Sequence, residues 1–269
     1  MNLKGTFVVA EMTFQEAIRK RFIIFILLIS SFFLLLNLSC EGAINVNGQE
    51  RSLMRFSAFF FFYMVGIWNL GISTQITSSL VTEELENKTY IILLSKPISK
   101  LNYYLGKAFG IFFIIIANTF LVYFIYSISI YIKMGFFFFD FWKSFFPMLL
   151  GYALIISIVL LLSLATNKTV SVMIMSGLIV FSFIINGILY ETNVEKFFEP
   201  AKKIHATLKI FYWVLPQFGS LTFFSSSLFE SSISQVHYLG ELSVYQISMW
   251  ICIIWLILYF YLDRREFSE

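Results

Sequence analysis

Few residues in this sequence have the types and spacing that covalent chemistry needs. Its only histidines, His205 and His237, stand in no H-x-x-x-H or H-E-x-x-H spacing that would hold zinc. Cys40 and Cys252 are far apart with no C-x-x-C, so neither a metal site nor a redox pair is indicated. No G-x-x-x-x-G-K-[S/T] loop is present to cradle nucleotide phosphates, and no G-x-S-x-G is present to carry a nucleophilic serine. The functional groups that do cluster lie in one segment, Thr82 to Lys107. Glu83, Glu84 and Glu86 open it, Lys88 and Thr89 follow, and Tyr90–Leu94 is a short apolar run. Ser95-Lys96-Pro97-Ile98-Ser99-Lys100 closes it ahead of Lys107. The work such a segment can do is mechanical. An apolar run of this length, containing Ile92, Leu93 and Leu94, is too short to span a bilayer. Held between charges, it can insert into a groove on a soluble partner. The competing reading is a plain interfacial loop with no partner.

The elements that hold this segment are set by composition. Of 269 residues, 59% are apolar and 13% charged, and the mean hydropathy is +0.82. Soluble domains run near 45–50% apolar and about 25% charged. A soluble domain, a disordered chain and a disulfide scaffold are thereby excluded, which leaves an all-α polytopic membrane protein. The scattered Lys and Arg give a net charge of +3 and no nucleic-acid patch. Of the 34 Phe, the runs 59–62 and 136–139 read as lipid-facing filler in preference to an aromatic binding box.

Six spans are expected, at 22–39, 56–80, 108–132, 145–165, 170–190 and 247–262. Residues 1–21 read as an amphipathic helix. Glu11, Gln15, Glu16 and Arg19 lie on one face, and Phe7, Ala10, Phe14 and Ile18 on another. It ends in Arg19-Lys20-Arg21, a cluster suited to the cytoplasmic headgroup layer. No small-residue cleavage site follows, so the helix is expected to be retained. The loop 41–55 carries the turn signal Asn47-Gly48. The turn at Thr166–Thr169 makes the fourth and fifth spans a tight hairpin. Glu83, Glu84 and Glu86 carry the second span out of lipid, Ser99 can cap the third span, and Lys107 can anchor it among the headgroups.

Six spans put both termini on one side. Its loops hold 11 of the 19 Lys and Arg, although the opposite loops are longer, so that side is expected to be cytoplasmic. The stretch 191–246 has apolar residues at three- and four-residue spacing and breaks at Trp213-Val-Leu-Pro-Gln-Phe-Gly219. It is expected along the outer interface, with room for a short re-entrant pair. No acidic residue falls in any span, which disfavours ion-coupled transport and proton relays. The polar residues Asn69, Gln75 and Asn186 could line a pathway or equally serve as helix–helix glue.

The segment Glu83-Glu84…Lys88-Thr89…Leu93-Leu94-Ser95-Lys96-Pro97-Ile98-Ser99-Lys100…Gly106-Lys107 resembles a pattern between spans 2 and 3 of ABC-2-type exporter permeases, with Lys100 where Arg is commoner. Thr13–Arg21 is similar to that family's N-terminal helix, and Val214-Leu-Pro-Gln-Phe218 to its outer Leu-Pro-Asn-Phe, with Gln replacing Asn. Size and motif look most like the copper-enzyme-maturation and gliding-type permeases. The resemblance implies a permease in the cell inner membrane, paired with a second permease copy and with separate ABC ATPase subunits. ATP and magnesium would sit on those subunits, with no cofactor on this chain. Its coupling element would be the Leu85–Leu94 region, and the chain itself would not be an enzyme. Two other classes compete. An intramembrane enzyme would need paired catalytic groups at one depth. A non-transporting scaffold or an ABC-like signalling unit is barely separated from a permease by sequence.

Overall fold

The computed structural model describes residues 3–19, 32, 43–46, 49–86, 99–134, 140–190, 210–228 and 242–264. These are helical apart from one hairpin. The helices are α1 (Leu3–Arg19), α2 (Leu53–Glu86), α3 (Lys100–Met134), α4 (Phe145–Ala165), α5 (Lys168–Tyr190), α6 (Phe218–Ser227) and α7 (Leu242–Arg264). A 3-10 turn (Asp140–Ser144) leads into α4, and a short helical stretch at 210–214 precedes α6. The expected first span, 22–39, lies outside the described residues.

The helical architecture is as expected, and one short hairpin accompanies it. Strands β1 (Ala43–Val46) and β2 (Gln49–Ser52) pair antiparallel with Val46 opposite Gln49. The turn signal Asn47-Gly48 lies between these strands and outside the described residues. The strand pairing gives this polar stretch internal partners for its backbone groups.

Five helices are long and apolar enough to cross a membrane, within Ala58–Glu86, Lys100–Ile132, Trp142–Ala165, Lys168–Ile188 and Leu242–Asp263. The chain is thus a multi-pass membrane protein in its helical content. α2 and α3 have 34 and 35 residues, about 50 Å each at 1.5 Å per residue, well beyond a hydrocarbon core of about 30 Å. Their ends therefore protrude, and Glu83–Glu86 continue the same helix as the span.

α4 is the hub. It is apolar all round, and Leu154 to Leu160 are buried without interruption, as expected of a helix enclosed by neighbours. It packs against α2, α3, α5, α6 and α7. At the end where α4 begins, Phe61 and Phe62 of α2 pack on Tyr123 and Tyr126 of α3, with ring centroids 4.3–5.0 Å apart, and Trp142 and Phe145 close the cluster. The run 59–62 is thus not simply lipid-facing. Phe60 is exposed, while Phe61 and Phe62 are core, because successive helical residues point about 100° apart.

α6 does not lie along the surface. Nearly all of it is buried against α5, α2 and α4. Its hydroxyls are served locally or by neighbours. Thr222 and Ser226 bond back to carbonyls four residues earlier, and Ser225 donates to the Ser144 carbonyl. The Gly219 N–H donates to Ser182 Oγ of α5 at 2.9 Å.

α1 packs along α3. A Cβ at Gly106 would stand 2.5 Å from the Thr6 carbonyl oxygen, and one at Gly110 2.6 Å from that of Ala10. These are backbone atoms that cannot yield, so Gly106-x-x-x-Gly110 is what permits the contact. The small side of α1, with Thr6, Val9, Ala10, Thr13 and Ala17, is buried, while Phe7, Met12 and Ile18 are exposed. The expected apolar face therefore divides: Ala10 meets α3, and Phe7 and Ile18 face outward.

Candidate functional site

α2 ends Leu80-Val-Thr-Glu-Glu-Leu-Glu86. Adjacent helical positions diverge by about 100°, so Glu83 and Glu84 serve different neighbours. Glu84 turns to α3. Its carboxylate pairs with the Lys107 ammonium and accepts a 2.5 Å hydrogen bond from the Tyr103 hydroxyl. Lys107 also donates to the Leu80 carbonyl. Leu80 and Glu84 are one turn apart on α2, and Tyr103 and Lys107 one turn apart on α3. Two facing turns thus form a closed polar cluster. The Lys107 side chain is fully buried and that of Glu84 is 17% exposed. A buried ammonium survives in the interior because it has both a carboxylate and a carbonyl to answer it.

Glu83 turns to α5. It accepts from Ser79 Oγ at 2.5 Å and lies 3.4 Å from the Lys168 ammonium, which also donates to Ser79 Oγ at 3.1 Å. Ser78 Oγ donates to the Lys168 carbonyl at 3.2 Å. The Glu83–Lys168 pair is part-exposed and contributes little energy. Its value is positional, since it ties the first residue of α5 to the end of α2. On the other flank, Ser99 stands just before α3, and its hydroxyl accepts from the Asn102 N–H at 3.3 Å, as an N-cap does.

Of the coupling residues expected from sequence, Glu83, Glu84, Glu86, Ser99 and Lys100 are described, and Glu86 is exposed at the tip. Lys88, Thr89, Ile92, Leu93, Leu94, Ser95, Lys96, Pro97 and Ile98 lie outside the described residues, as do Lys20 and Arg21 of the expected basic anchor. Arg19 is exposed at the end of α1. Lys107 corrects its expected role: it is buried rather than reaching headgroups, because the Glu84 carboxylate and the Leu80 carbonyl of α2 face it.

The three residues weighed for a pathway are not brought together. Asn69 is buried between helices. It donates to Thr119 Oγ1 at 3.1 Å and Tyr152 at 3.4 Å, and accepts from Asn118 Nδ2 at 2.9 Å. Asn186 accepts from the Tyr212 hydroxyl at 3.2 Å, and Gln75 is exposed on α2. For Asn69 and Asn186 the observed role is interhelical bonding. The hydroxyl residues Ser73, Thr74, Thr77 and Thr82 after Asn69 stay buried because each bonds the carbonyl four residues back.

A cavity of about 260 Å³ lies between α3, α4 and α7 and is walled by Phe109, Phe112, Ile156, Ile251 and Trp255. Its one hydroxyl, Ser157, is engaged with the Ala153 carbonyl at 2.7 Å. No set of polar groups converges there for catalysis.

The sequence reading missed three participants. Lys168 was visible only as a turn lysine, and Tyr103 carried no signal of its own. Gly106-x-x-x-Gly110 did carry one, since that spacing in an apolar helix marks a close helix contact.

No protein-family model matches the chain, and no curated protein matches it.

Proposed function

We propose that this chain is the membrane-spanning permease subunit of an ATP-driven exporter of ABC-2 type, which couples ATP hydrolysis on a separate subunit to substrate export. The observation that carries the reading is the Glu84–Lys107 pair with Tyr103. It staples the end of α2 to the start of α3, the two helices that flank the 87–98 segment. A partner that pushes on a segment with stapled ends moves both helices together, whereas a free loop would absorb the push. Glu83–Lys168 extends the linkage to the α4–α5 turn.

On this reading there are six spans, with 22–39 preceding the five apolar helices, and both termini are in the cytoplasm of an inner-membrane protein. The 210–214 stretch and α6 form a re-entrant pair from the outer side, supported by the burial of α6 and the break at Pro216. Two permease copies pair in the bilayer. Two ATPase subunits, holding ATP and magnesium, dock on Leu85–Leu94, and their closure opens a route outward. This chain holds no nucleotide and contributes position and leverage.

The test is to purify the tagged full chain from its native membrane and, separately, from a host that lacks its neighbours. ATP hydrolysis is expected only in the native preparation. A native preparation that carries no ATPase subunit and no hydrolysis would overturn the reading.

A further inference from the structure

The apolar cavity between α3, α4 and α7 opens where α7, which packs on α4, makes little contact with α3. Three of the positions that face it are small, Ala108 of α3 and Ala153 and Ser157 of α4, and about 260 Å³ is left unfilled. The two shorter helices fix its depth. Ala153 to Ser157 lie at the middle of the 21-residue α4, and Ile251 to Trp255 at the middle of the 23-residue α7. The cavity is therefore at hydrocarbon depth. Phe109 at its rim is half exposed, and Phe113, one turn further along α3, and Leu256, beside Trp255, are exposed. The cavity thus communicates with the lipid-facing surface.

We propose that it holds one acyl tail of a bilayer phospholipid, wedged between the three helices. The alternatives fail on chemistry or size. A buried water needs about two to four polar partners, and the one hydroxyl here, Ser157, already donates to the Ala153 carbonyl at 2.7 Å. A helix, whether of a second copy or of another protein, is too large. On α3 the wall runs from Leu105 to Phe112, about 10 Å along the axis. A helix about 10 Å across would need roughly 800 Å³ over that length, against the 260 Å³ present. An empty cavity would forfeit van der Waals contact for every atom of its wall. A flexible hydrocarbon chain meets none of these objections. An apolar cavity of about 150 Å³ lined by aliphatic and aromatic side chains already takes up benzene. This one has the same kind of lining and more room, and the bilayer supplies the tail at the right depth. The inference is independent of whether the chain is a permease.

The experiment follows the fluorescence of the full chain in detergent micelles as a phosphatidylcholine brominated midway along its acyl tails is added. The difference between the unaltered chain and Trp255→Phe isolates Trp255 from the other four tryptophans. Its emission is expected to be quenched to a plateau at low lipid fraction, whereas lipid that only surrounds the helices quenches in proportion to its amount. Ala153→Leu or Ala108→Leu fills the cavity with protein, and the plateau should be lost. Unbrominated lipid should raise the Tm of the unaltered chain by roughly 2–4 °C and that of the filled variants by less. Proportional quenching throughout in the unaltered chain, or a plateau that survives in the filled variants, would overturn the proposal. If neither Leu variant folds, mass spectrometry of the unaltered chain released from micelles at the same low lipid fraction decides. One retained phospholipid is expected, and a chain released free of lipid would overturn it.

Discussion

Lys107 of α3 and Glu84 of α2 form an ion pair in which the lysine side chain is fully buried, and the Tyr103 hydroxyl and the Leu80 carbonyl complete its surroundings. Removing one member of such a pair leaves the other charge buried and unanswered, at a cost of about 3–5 kcal/mol. Glu84→Gln should therefore lower stability by that order, measured by thermal or denaturant unfolding in nanodiscs. Removing both charges, as Glu84→Gln with Lys107→Met, should recover most of the loss. A single variant as stable as the unaltered chain would show that the pair does not hold α2 to α3.

α1 is seated on Gly106 and Gly110 with no room for a side chain. Gly110→Val should therefore lift α1 off α3. Ala17→Cys offers a reporter, since Ala17 is fully buried. In a background lacking Cys40 and Cys252, that thiol should resist maleimide with Gly110 present and react readily in the Gly110→Val form. Unchanged labelling would mean that α1 is held elsewhere.

Asn69 and Asn118 are joined by a 2.9 Å hydrogen bond between α2 and α3. Interhelical bonds of this kind contribute about 0.6–2 kcal/mol. A double-mutant cycle with Asn69→Val and Asn118→Val should give a coupling energy in that range. Strict additivity would remove Asn69 from the set of residues that bind the bundle together.

Much of the architecture is legible in sequence because bilayer thickness imposes a length on apolar runs. Five such runs became helices close to their expected places, and Thr166-Asn167 was the tight turn between α4 and α5. What hydropathy does not carry is which side of a helix meets a neighbour. The surface of α4 gives no hint that it is the hub, beyond being apolar all round. Phe61 and Phe62 cannot be told from Phe60 without the position of α3. Lys107 reads as an anchor because lysines near span ends usually reach headgroups. Only the opposing Glu84, 23 residues earlier in sequence, makes a buried position tolerable. The partnership of Gln246 with the carbonyls at the Pro216 break depends on α7 reaching a stretch far from it in sequence.

The orientation rests on the basic residues. Single cysteines introduced as Asn47→Cys and Asn87→Cys, again without Cys40 and Cys252, should label oppositely in intact cells with an impermeant maleimide. Position 47 should react and position 87 should not. The reverse pattern would invert the topology and put the 87–98 segment out of reach of any cytoplasmic ATPase.

The central claim is that the segment stapled by Glu84 and Lys107 drives the membrane helices from an ATPase partner. Its most direct test is a charge in the apolar run. Ile92→Asp or Leu93→Asp would have to bury a carboxylate on docking, which costs several kcal/mol without a partner charge. At about 1.4 kcal/mol per tenfold, that is enough to release a micromolar partner. Both variants should insert in the membrane at normal levels, yet recover no ATPase subunit and show no stimulated ATP turnover. Lys143→Ala, on the exposed far side, should retain both. Full assembly and full turnover in the Asp variants would contradict the account.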